Sequence, residues 1–99
     1  MTLLENTYRQ LNDAGLATTG EFFSKHYLGK NGNWYAWQRH AGRDLSTAAA
    51  VNCLRTVRAQ LSLPLLADEQ KRILAEIAEQ LLKHLKEHHF IADVCSGAD

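Results

Sequence analysis

Residues Thr18–Leu61 read TTGEFFSKHYLGKNGNWYAWQRHAGRDLSTAAAVNCLRTVRAQL, and this stretch decides the fold. Its punctuation predicts a short helix, a tight turn at Leu28-Gly29-Lys30-Asn31, a second short helix, a loop and a longer helix. Thr18 or Thr19 can cap the first helix, which carries Phe22, Phe23, His26, Tyr27 and Leu28 and stops at Gly29. Asn31 or Asn33 can cap the next, which continues through Trp34 to His40. Trp34 and Trp37 share a face at i, i+3 with Gln38 beside them, while Ala36 and Arg39 lie opposite and Asn33, Tyr35 and His40 lie on the flanks. The two tryptophans, with Phe22 and Phe23, are therefore expected to hold the helices together.

The loop Ala41-Gly42-Arg43-Asp44 leads to Ser46, a good cap for a helix from Ala48 to Leu61. Ala50, Val51, Leu54, Val57 and Leu61 give it a buried side, with Arg55 outward and Arg58 at the margin. Ahead of this centre, Thr2 and Glu5 have capping-box spacing, Leu4, Tyr8 and Leu11 recur at helical intervals, and Gly15 supplies a stop. Behind it, Pro64 makes residues 62–65 a connector. A last helix then starts near Asp68 with a wide apolar face: Ile73, Leu74, Ile77, Leu81, Leu82 and Leu85. The expected fold is all-α, a compact bundle of about five helices with a helix-turn-helix-like centre at residues 19–40. Ninety-nine residues suffice for one domain, placed at 1–92, with 93–99 as a flexible tail.

At 45% hydrophobic residues the chain is too apolar for disorder, yet it has no run of about 18 apolar residues, so no membrane span is expected. The first residues lack a basic start and an apolar core, so no secretion signal is expected either. Cys53 and Cys95 stand far apart outside any CxxC spacing, as suits a reducing, cytoplasmic address. Net charge is zero, which argues against a generic nucleic-acid coat. Its distribution is uneven, however. From residue 25 to 58 the cations are Lys25, Lys30, Arg39, Arg43, Arg55 and Arg58, and Asp44 is the one acid. Such asymmetry fits an electrostatic footprint on phosphate.

The segment EFFSKHYLGKNGNWYAWQRHAGRDLS, followed by an alanine-rich helix ending in RAQL, resembles the helix-turn-helix of the Cro and lambda-repressor class. More closely it is similar to a small uncharacterised bacterial family of like length. The matching residues are Phe23, Ser24, Leu28, Gly29, Lys30, Asn31, Tyr35, Arg39, Arg43 and Ser46. One departure stands out: repressors carry a small residue four positions before the turn glycine, whereas Ser24 lies five before Gly29. The resemblance implies a DNA-binding transcription regulator. Asn33, Gln38 and Arg39 are residue types that pair with base edges, and Lys30, His40 and Arg43 would touch phosphate. A palindromic target calls for a homodimer, and the broad apolar face of the last helix is the expected contact.

The rival reading is a helical protein-interaction module that never meets nucleic acid. The two part on whether the 25–58 cations gather around the third helix and whether Asn33 and Arg39 are exposed. An enzyme is not expected, because no GxSxG, HExxH or phosphate-cradling loop is present and no catalytic residue can be named. No cofactor is expected. His84 and His88 share a helix face, but a metal needs a third ligand, and Glu87 is poorly placed and His89 points away, so no metal is expected.

Overall fold

In the computed structural model, residues 2–89 are described, except for the side chains of His88 and His89. The tail at 93–99, Cys95 and the His84–His88 pairing therefore fall wholly or partly outside the described residues. Five helices follow one another, and among the described residues there is no strand. They are α1 (Leu3–Asp13), α2 (Gly20–Phe22) running on as a π-helical turn (Phe23–Tyr27), α3 (Trp34–His40), α4 (Thr47–Leu61) and α5 (Asp68–His84), which also ends in a π-helical turn (Leu85–His89). The all-α architecture expected from the sequence is the one observed.

The longer helices form where capping and apolar periodicity agree. In α1 the Thr2 hydroxyl accepts from the Glu5 amide at 3.2 Å, and Leu4 and Leu11 are fully buried. Gly15 takes a φ of +75°, which lets the Leu16 amide turn back to the Leu11 carbonyl at 2.9 Å. The Ser46 hydroxyl caps α4 on the Ala49 amide at 3.2 Å. This helix then buries Ala49, Ala50, Cys53, Leu54 and Val57, while Val51 and Leu61 are half-buried and both Arg55 and Arg58 are exposed. In α5, Leu74, Ile77 and Leu81 are buried on one stripe, Leu85 continues it, and Ile73 and Leu82 lie at its edges. Helices α4 and α5 pack along each other and enclose most of the aliphatic core. Burial desolvates the Cys53 thiol and pushes its pKa up to about 12, so it behaves as a small hydrophobe.

Polar side chains pin the remaining joints. Gln70 takes the Ala67 amide at the start of α5 and donates to the Ala14 carbonyl at the end of α1 at 3.0 Å. The Asp44 carboxylate accepts from three backbone amides: Leu3 at 3.3 Å, Leu4 at 2.9 Å and its neighbour Leu45 at 2.8 Å. With Thr2 it satisfies the opening amides of α1. The Asn52 amide of α4 donates to the Leu28 carbonyl at 3.0 Å, and a side chain at Gly29 (φ +66°) would meet that same amide at 2.7 Å. Tyr27 donates to Gln60 at 2.8 Å.

Candidate functional site

The candidate site is α3 and its two flanking loops. The helix has only seven residues, about two turns, too few to hold its pose by backbone hydrogen bonds alone. What holds it is Tyr35, only 6% exposed and the one buried residue of α3. The Tyr35 ring lies 4.7 Å from that of Tyr8 and meets Phe23 edge-on at 5.4 Å, two geometries that favour aromatic pairs. Gly20 leaves room for the ring, since a methyl group there would come within 2.9 Å of Tyr35 Cδ2. The expectation that Trp34 and Trp37 face inward is thereby corrected. Trp34 is half-buried, Trp37 is 59% exposed, and Phe22 is exposed while Phe23 is buried. The helix is turned by about one residue, roughly 100°, from the orientation expected.

Ser24 makes the second clamp. Its hydroxyl accepts from the Tyr35 amide at 3.0 Å and donates to the Gly20 carbonyl at 2.9 Å. A side chain of the second helix thus caps the first turn of the third. The offset of Ser24 from Gly29 has a structural counterpart in the π-helical turn, where the Leu28 amide bonds to the Phe23 carbonyl, five residues back, at 3.2 Å. A π turn takes up one residue more than an α turn. The connector to α3 spans residues 28–33 instead of the four expected, because Asn31 first folds its side chain onto the Asn33 amide at 3.0 Å. Asn33 occupies the cap position of α3 without a side-chain capping bond.

The six residues singled out in the sequence divide into three groups. Asn33 and His40 are exposed on the side of α3 away from Tyr35, in one row with Trp37 at i, i+4, i+7 spacing. Lys30 and Arg43 stand in the loops at the two ends, Arg43 exposed and Lys30 half-buried with its ammonium 5.8 Å from the Trp34 ring centre. Arg39 and Gln38 lie nearer the base. The Arg39 guanidinium sits 5.9 Å from the Tyr35 ring centre, and Gln38 donates to the Asp44 carbonyl at 3.2 Å. Burial raises the Tyr35 pKa, against the opposing pull of Arg39. Residues 22–43 contain no acid, Asp44 turns its carboxylate onto α1, and the acid beside the loop before α3 is Glu21, whose side chain lies against Gly32. Lys25 is neutralised locally by Glu21 at 3.0 Å, while Arg55 and Arg58 belong to α4, which packs on the second helix and α5. Among the described residues no group of three His, Cys, Asp or Glu is placed to hold a metal.

Sequence reading missed Trp37 as an exposed residue and Gly20, Ser24 and Asp44 as the parts that set α3. The position of Ser24 was the one available signal; the contact from Asp44 to α1 bridges about forty residues and leaves no local pattern.

Fold and site together define a small helical protein that displays one short helix on a clamped aromatic base. The chain belongs to DUF6626, a family of unknown function, which it matches over residues 4–95. No curated protein and no solved structure matches it.

Proposed function

We propose that the chain is a small DNA-binding transcription regulator that acts as a homodimer and offers the outer side of α3 to the major groove. One observation carries this: α3 is fixed through Tyr35, while Asn33 and His40 stand exposed opposite it, bracketed by Lys30 and Arg43 with no unpaired acid between them. A reading helix needs that division between an immobile base and a free face flanked by cations. The π turn supports the resemblance to repressor-type helix-turn-helix units, because it absorbs the extra residue and returns Ser24 to the contact between the two helices. Asn33 and His40 would contact bases, and Lys30 and Arg43 would hold phosphate. Arg39 is a flank contact, and Gln38 serves the loop.

The apolar face expected to make the dimer contact is buried within the chain at Leu74, Ile77, Leu81 and Leu85, so a dimer through α5 would use its outer side, where Leu82 lies among Glu79, Lys83, Lys86 and Glu87. Charges of both signs on one face can pair with their own copies across a two-fold axis. The second reading, a protein-interaction module, draws on the zero net charge and on exposed Trp37, a residue type that often anchors protein interfaces.

Binding to mixed genomic duplex at two salt concentrations separates the two. Phosphate contacts predict affinity that falls steeply with salt, and Lys30→Ala or Arg43→Ala should each flatten the log–log slope by about 1. No binding at low salt would exclude the regulator and leave the interaction module.

A further inference from the structure

We infer that Trp37 is the centre of the reading surface and lies against the C5-methyl groups of thymines in the major groove. This rests on the DNA-binding reading above. Asn33, Trp37 and His40 form the outermost row of α3, and Ala36 beside them is exposed too. An indole 59% in water on a helix whose neighbouring Tyr35 is 6% exposed has not been left out for lack of a core; the inner place is filled. The electrostatic frame selects the occupant. Lys30 at one end, Arg43 at the other and Arg39 exposed between them, with Glu21 at the Lys30 end paired to Lys25, suit a polyanion.

Of what a polyanionic duplex offers in its major groove, phosphates and most base edges are polar, and the thymine methyl is the apolar surface. Trp37 therefore reads methyl groups, while its two polar neighbours supply the hydrogen bonds that set register. The inferred targets are duplex sites with thymine at the centre of each half-site.

The test uses the full chain. Sites are selected from a randomised duplex pool, and each thymine in a selected site is then replaced by deoxyuridine, which removes only the methyl. At one thymine or more, loss of the methyl should weaken binding roughly three- to fivefold, the worth of one buried methyl. The same replacement should leave Trp37→Ala unaffected, and Trp37→Phe should retain the dependence. Thermal midpoints of both variants should match that of the parent, which separates recognition from folding. If the parent binds selected DNA with no methyl dependence, or if Trp37→Ala keeps that dependence, the Trp37 assignment falls and DNA binding stands. If no duplex is selected at low salt, both fall, and a Trp37-dependent protein partner becomes the reading to pursue.

Discussion

Helices α5 and α3 are held in place by opposite means. The seventeen residues of α5 carry Leu74, Ile77 and Leu81 on one stripe, and burial of that stripe against α4 and α1 fixes its position. The seven residues of α3 bury one side chain, and position comes from a tyrosine in a slot cut by Gly20 and a serine hydroxyl on a backbone amide. A stripe commits a whole side of a helix to the core. A point clamp commits one residue and leaves the others free for other work, as suits a helix that displays a surface.

That contrast can be broken by mutation. Tyr35→Ala should have the largest effect, about 3–5 kcal/mol, and should release α3 from its base. Leu81→Ala should cost a comparable ~2–5 kcal/mol, yet leave the α3 amides protected relative to the rest of the chain. Hydrogen exchange on both variants, read beside denaturant unfolding, tells the two apart; uniform loss of protection in both would mean that α3 has no clamp of its own. Ser24→Ala leaves the Tyr35 amide buried without an acceptor and should cost about 1–3 kcal/mol, with the faster exchange confined to the first turn of α3. The smallest effect is expected for Trp37→Ala, within about 0.5 kcal/mol by thermal unfolding. A clear loss there would place the indole in the core after all.

The same contrast explains what was legible in the sequence. Helices α1, α4 and α5 could be read because Thr2, Ser46 and the spacing of their leucines are local signals of the kind that burial enforces. In α3 the run Trp34-Tyr35-Ala36-Trp37 places three aromatics in four positions, so apolar periodicity over two turns gives no preferred side. The choice was made elsewhere, by the missing side chain of Gly20 and the reach of Ser24. Asp44 shows the same limit. In the sequence it interrupts a basic stretch, while in the structure it joins the loop after α3 to the first turn of α1. Of the candidate site, Asn33, Arg39, His40 and Arg43 are exposed, Lys30 is half-buried, and Gln38 is committed to the Asp44 carbonyl.

The π turn at Phe23–Tyr27 also bears on descent. Such a turn is what a one-residue insertion becomes when a helix keeps both of its ends where they were. Lys25 and His26, on the exposed side of the turn, mark where a relative can lose one residue and regain an ordinary α turn. Two lineages that differ in length at this point can therefore share one architecture, and a gap placed there in an alignment records how the helix is wound.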